Sequence, residues 1–164
     1  MIEPMTIRSA RPEAADLDTI VCHRRAIYQE AGFDDPCALD AMSAAYRVWL
    51  SPKMETGEYL AWFALAPDSS IAAGLGLWLM DSPPNLFAAG RWRGNIVNVY
   101  TEPDHRRGGL ARALMQVAMD WCAAHEVDMI VLHSTPAGRP LYESLGFTPG
   151  SEMRRIRPIV SSKR

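Results

Sequence analysis

The sequence predicts an α/β fold of the α+β kind, a mixed and mostly antiparallel sheet flanked by helices, and three observations carry that prediction. The first is length: 164 residues are one domain's worth, read as a single domain over 1–164, and long enough to bury a real core. The second is a pair of apolar runs, 59–66 and 71–80, separated by Pro67-Asp68-Ser69-Ser70, which reads as a β-hairpin. The third is a stretch in which Leu110, Ala113, Leu114, Val117, Ala118, Trp121 and Cys122 recur at three- and four-residue spacing. That spacing draws one apolar stripe along a helix over about 109–125. Strands on both sides of this helix give a mixed order of elements rather than a strict alternation.

In chain order, Met5 to Arg8 reads as a short first strand. Leu17, Ile20, Val21, Arg24 and Ile27 have helical spacing within a helix from about Pro12 to Ala31. Gly32 and Pro36 break it, and a second helix follows over about 38–50. After the hairpin, Asp81-Ser82-Pro83-Pro84-Asn85 is a loop, and Arg93 to Thr101 is the next strand. The long helix follows, then a strand over 128–133, a short helix from Arg139 to Leu145, and one or two last strands from Phe147 to about Ile156. There is no internal repeat, low-complexity tract or linker.

Composition excludes several classes of function. A net charge of −2 offers no general attraction to nucleic acid or to an anionic membrane. The longest apolar stretches, such as IAAGLGLWLM, are too short to span a bilayer, and the N-terminus lacks the pattern of a secretory signal. A soluble, cytoplasmic protein is expected. Cys22, Cys37 and Cys122 show no paired spacing, so neither a disulfide framework nor a zinc site is implied. The lone CxxH of Cys122 and His125 reads as packing, and no metal is expected.

The chemistry concentrates where the strand ending in Val99-Tyr100-Thr101 meets Arg106-Arg107-Gly108-Gly109-Leu110-Ala111 and the long helix. Adjacent glycines let backbone approach a ligand, and the unpaired amides of a helix's first turn attract anions. No Ser, Thr, Asp or Asn stands immediately ahead to cap that turn, and Arg106, Arg107 and Arg112 add positive charge. The stretch reads as a site for a phosphate-bearing cofactor. No GxxxxGK[ST] is present, and Gly74 and Gly76 lack the third glycine of a dinucleotide fingerprint, which disfavours ATP and NAD.

Arg106 to Ala111 resembles the [RQ]-x-x-G-x-[GA] signature of the GNAT superfamily of acetyl-CoA-dependent N-acetyltransferases. About thirty residues on, Leu141-Tyr142-Glu143-Ser144-Leu145-Gly146-Phe147 resembles that family's LYxxxGF. The two motifs in this order, with the strand-like MIVLH between them, cover residues 95–150 closely. The resemblance implies a twisted sheet that splays at its central strands. It also implies that the backbone of Val99, Tyr100 and Thr101 receives the pantetheine arm of acetyl-CoA as a pseudo-strand. The pyrophosphate is then expected on the amides from Arg107 through Gly108, Gly109 and Leu110 to Ala111. One departure stands out: where relatives carry NxxAxxLY, this chain has Thr135 and Gly138 in place of the Asn and Ala. The threonine hydroxyl is the expected replacement contact.

Acetyl transfer needs a neutral amine, and an alkyl amine of pKa near 10.4 is only about 0.04% neutral at pH 7, a deficit of roughly 4–5 kcal/mol. No residue declares itself as the base. His133, Glu102 and Asp104 lie near the expected site, yet each has an ordinary structural explanation. The resemblance assigns Tyr142 as the general acid at the thioester sulfur. A phenol near pKa 10 yields its proton to a thiolate near 8.5 only at a cost of about 2 kcal/mol, so Tyr142 is expected to act mainly as a hydrogen-bond donor.

The expected activity is therefore acetyl transfer to a primary amine of a small molecule or peptide, by direct attack in a ternary complex. The alternatives are a non-catalytic acyl-CoA sensor, or transfer to a hydroxyl or from a longer acyl donor. The acids in Ala31-Gly32-Phe33-Asp34-Asp35-Pro36 suit a cationic amine and equally a solvated turn. Trp49, Trp62, Trp78 and Trp92 suit a pocket, although aromatic residues in sheets are usually core. Arg154, Arg155 and Arg157, with Lys163 and Arg164, read as a solvated basic edge rather than an RNA surface. A homodimer is compatible with the resemblance.

Overall fold

The computed structural model describes residues 6–157, so Met5, Lys163 and Arg164 lie outside the described residues. The chain divides into two compact units at the His133/Ser134 junction.

The first unit holds a five-stranded sheet in sequence order: β1 (Thr6–Ser9), β2 (Tyr59–Leu65), β3 (Ile71–Asp81), β4 (Trp92–Thr101) and β5 (Met129–Leu132). The first three pairings are antiparallel and the β4–β5 pairing is parallel, so the sheet is mixed and mostly antiparallel. Three helices flank it, α1 (Ala14–Glu30), α2 (Pro36–Thr56) and α3 (Leu110–Ala124). A short 3-10 turn, Pro103–His105, joins β4 to the segment before α3.

Strands β2 and β3 are buried along nearly their whole length because both faces are covered. Ala61 and Phe63 of β2 pack with Leu17 and Ile20 of α1 and Leu50 and Met54 of α2. The intervening Trp62 approaches Trp121 of α3, with ring centroids 6.5 Å apart, as the two-residue period of a strand requires. The buried stripe of α3 is Leu114, Met115, Ala118 and Cys122. It is centred one position off the expected stripe and takes in Met115, which the sequence reading omitted.

Helix α2 starts where Asp35 accepts a hydrogen bond from the Cys37 amide (3.0 Å) and Pro36 fills the first turn. It then runs six residues beyond the expected end, through Pro52 to Thr56, and stops at Gly57 in left-handed conformation (φ 77°). An interior proline costs a helix about 3 kcal/mol. Leu50 and Met54, four residues apart on the inward face, bury side chains worth roughly 1.5–3 kcal/mol each, which offsets that cost.

The second unit contains α4 (Arg139–Ser144). The expected strands between Phe147 and Ile156 do not form: among the described residues 147–157 have no regular structure. The apolar residues there are too few and too widely spaced to line one strand face. Met153 and Ile156 are exposed, as are Arg154, Arg155 and Arg157. Among the described residues no helix is long and apolar enough to cross a membrane.

Candidate functional site

Strand β4 changes character at its middle. It pairs with β5 only from Arg93 to Ile96, and beyond Ile96 the stretch Val97–Thr101 has no parallel partner among the described residues. On its other side Val97 sits opposite Gly76 and Tyr100 opposite Gly74, so β4 carries one residue more than β3 between these pairs. The extra residue makes a β-bulge, and Asn98 takes the left-handed conformation (φ 55°) that asparagine tolerates better than most residues.

Past the bulge the Glu102 amide donates to Ala72 O of β3 (2.9 Å). By strand alternation Val99 and Thr101 turn their polar groups to the opposite, open edge. There the Thr101 carbonyl accepts a hydrogen bond from Arg106 Nε (2.9 Å), while the backbone of Val99 and the amide of Thr101 are left on the edge. The Tyr100 side chain points inward, buried against His23 with ring centroids 5.0 Å apart.

The segment from Arg106 to Gly109 bends by two left-handed residues, Arg107 (φ 64°) and Gly109 (φ 79°). Gly109 is the N-cap of α3 and no side chain caps the helix. Intrahelical bonding begins with the Ala113 amide on Gly109 O (3.0 Å), so the amides of Leu110 and Ala111 precede it. Arg106 is ion-paired with Glu30 at the end of α1, which holds its guanidinium above the usual arginine range. Arg107 is exposed and has no ion-pair partner among the described residues, and Arg112 is exposed one helical turn on.

In the second unit Thr135 organises the start of α4. Its Oγ1 accepts from the Gly138 amide (3.1 Å) and its carbonyl accepts from the Arg139 amide (3.0 Å). A Cβ on Gly138 would stand 3.0 Å from the Tyr142 ring, so glycine lets that ring lie against the turn. Tyr142 is half-buried, edge-on to Phe147 at 6.2 Å, and burial raises its pKa. Among the described residues none hydrogen-bonds its hydroxyl.

The other sequence candidates divide clearly. His133 and Asp104 are exposed. Glu102 lies 3.6 Å from His23 Nε2. Asp35 serves as the helix cap described above. Trp49, Trp78, Tyr46 and Tyr59 form one aromatic cluster, Trp62 is core, and Trp92 lies beneath Arg91. Cys122 is buried and its thiol is pushed up to about 11, and the His125 ring stacks on Trp121 at 4.0 Å. Among the described residues no group of three or more His, Cys, Asp or Glu is placed to hold a metal ion.

Sequence reasoning missed a polar network beneath the bulge. Asn98 Nδ2 donates to Tyr46 Oη (2.6 Å) and Tyr59 Oη (3.3 Å), and Asn98 Oδ1 accepts from Arg24 (3.1 Å). Tyr46 donates to Tyr59 (3.1 Å), and burial raises the pKa of both phenols. His23, Tyr59, Gly74, Gly76 and Asn98 line a small cavity beside this network. His23 is 4% exposed, and burial brings its pKa down to about 4, the solvated Glu102 carboxylate being too weak a counter-charge to reverse that. The sequence signal was slight: Arg24 stands among the apolar residues of the first helix's stripe, and Ile20 and His23 lie three apart on one helix face.

Residues 23–147 match the model of the acetyltransferase (GNAT) family. Comparison with curated proteins gives no match. Among solved structures, a GCN5-related N-acetyltransferase from Ralstonia eutropha JMP134 is 34% identical, with 96% of this chain and 100% of that one covered and a TM-score of 0.85. A predicted acetyltransferase with acetyl-CoA from Clostridium acetobutylicum is 23% identical, with 94% and 96% covered and a TM-score of 0.81. An aminoglycoside acetyltransferase from an uncultured soil metagenomic sample is 18% identical, with 95% and 99% covered and a TM-score of 0.69. The last two are similar in fold.

Proposed function

The chain belongs to the GNAT acetyltransferase family, and from that premise we propose that it is a cytoplasmic acetyl-CoA-dependent N-acetyltransferase acting on a primary amine of a small molecule or peptide. The observation that carries this reading is the continuity of two features: the open edge of β4 past its bulge, and the uncapped start of α3 that follows. An open edge of alternating amide and carbonyl groups suits a pantetheine arm, and an uncapped helix start suits a pyrophosphate. Bound acetyl-CoA supplies the activated acetyl group.

The residues divide the remaining work. Val99 and Thr101 give backbone groups to the arm while Tyr100 between them holds the strand to β3, and Gly108, Gly109, Leu110 and Ala111 give amides to the phosphates. Arg107 and Arg112 add charge, while Arg106 fixes the turn to α1 through Glu30. Thr135 and Gly138 shape the start of α4, and the Thr135 hydroxyl keeps its proton for donation. Tyr142 is the acid: a desolvated phenol with a raised pKa holds its proton more firmly, so it stabilises a departing thiolate chiefly by donating a hydrogen bond. Direct attack in a ternary complex agrees with Cys122, whose buried, strongly protonated thiol is a poor nucleophile.

The test is free-thiol release from acetyl-CoA against polyamines, aminoglycosides, amino acids and N-terminal peptides, with a binding titration alongside. Release with one amine class is expected; tight binding without release from any acceptor class would favour the sensor reading. Gly109→Glu puts a carboxylate at the helix start and a side chain at φ 79°, so acetyl-CoA affinity should fall by at least about 100-fold. Affinity retained in a folded Gly109→Glu protein would remove the phosphate site.

A further inference from the structure

Arg24, at the middle of α1, is unlike the cations around it. Arg8 is paired with Asp16, Arg25 with Asp40, Arg47 with Asp18 and Arg106 with Glu30. Arg24 is half-buried, and among the described residues no carboxylate lies within ion-pair distance of it. Its neighbours are neutral instead. One terminal nitrogen donates to Asn98 Oδ1 (3.1 Å), the other lies 3.5 Å from Tyr28 Oη, and Nε is buried with no partner. The guanidinium carbon is 4.5 Å from the centre of the Tyr46 ring and 5.3 Å from that of Tyr28.

A guanidinium has five N–H donors in a planar fork that matches carboxylate and phosphate oxygens. Here that fork is partly desolvated, under-used and without counter-charge. Aromatic faces offset part of the cost of such a charge, but they supply no acceptor for the remaining donors. The fork also stands one hydrogen bond from Asn98, at the bulge of β4 and within the stretch whose open edge suits the pantetheine arm.

We propose that Arg24 is a specificity-determining residue that receives an anionic group, a carboxylate or a phosphate, carried by the acceptor amine. The inference rests on the acetyltransferase reading and narrows it: the acceptor is an amino acid or a phosphorylated amine rather than a polycation. The Tyr46 and Tyr28 rings both lie against the guanidinium, and Asn98 links the fork to the bulge, so the anion and the amine are registered against the same strand.

The experiment compares matched pairs that differ only in the anion: phenylalanine with phenethylamine, methionine with 3-(methylthio)propylamine, lysine with cadaverine, and phosphoethanolamine with ethanolamine. In the intact protein kcat/KM should favour the anionic member of at least one pair by about tenfold or more, and the pair in which it does so tells carboxylate from phosphate. Arg24→Gln should bring that ratio to about one, mainly through KM, with acetyl-CoA affinity within about twofold of the parent. Arg24→Lys, which keeps the charge and loses the fork, should fall between and serves if Arg24→Gln does not fold. Equal rates within every pair, or a preference that survives Arg24→Gln, overturns the proposal. If acetyl-CoA binds and no pair turns over, the Tm with CoA bound decides: a rise with an anionic member in the parent and not in the variant supports Arg24, and no rise overturns it. If acetyl-CoA does not bind at all, the acetyltransferase reading fails, and the same Tm comparison without CoA judges Arg24 separately.

Discussion

Tyr142 illustrates what one side chain contributes. Its ring is held by Phe147 and the Gly138 turn, so removing the hydroxyl should leave the packing intact. Tyr142→Phe is expected to lower kcat by about 100-fold with little change in acetyl-CoA affinity, read by steady-state kinetics and by titration. An unchanged kcat would end its role as the acid. Tyr142 and the glycines were legible because each sits in a short contiguous motif. The partner of Arg106 was not, since Glu30 lies 76 residues away and no local pattern joins them. Arg24, Tyr46 and Asn98 come from two helices and a strand, and only the folded chain makes them one network.

Among the elements, those with strong periodicity were placed to within a residue or two, α3 and the hairpin strands β2 and β3 above all. The misplacements have physical causes. α2 crosses Pro52 because Leu50 and Met54 bury together, and tertiary burial outweighs a local breaker. The strands expected from Phe147 to about Ile156 find no neighbour among the described residues to take up their hydrogen bonds, and an isolated extended segment has no ladder to hold it. The start of α2 shows the converse, a local signal that the structure uses: Asp35→Ala should cost about 1 kcal/mol in urea denaturation, since it removes the acceptor for the Cys37 amide. A loss of less than a few tenths would mean that the cap adds nothing to the helix.

For the molecule as a whole, the fold class was readable because two apolar runs, a hairpin turn and one amphipathic stripe leave few ways to cover a sheet. The parallel β4–β5 pairing and the open edge beside it were not readable from these patterns, since pairing partners are set by the crossover through α3. Stability carries its own pH signature. His23 has a folded pKa of about 4 against an ordinary 6.5, so the unfolded chain takes up a proton that the folded one excludes. Its contribution is complete above pH 6.5 and falls away as the pH drops towards 4, by up to about 3 kcal/mol. Denaturation midpoints should fall over that range, and His23→Met should fall less. Equal slopes in both proteins would remove His23 as the cause.

The bulge at Asn98 is in effect a phase shift written into one strand. Side chains and polar groups alternate with a period of two, so one supernumerary residue reverses which groups face which neighbour from that point on. The same strand is thereby zipped to a neighbour at its beginning and presents a vacant ladder at its end. What the strand must preserve is parity: residues in it can be exchanged within the limits of packing, but a change of length by one would restore regular alternation and turn over one half of the strand relative to the other.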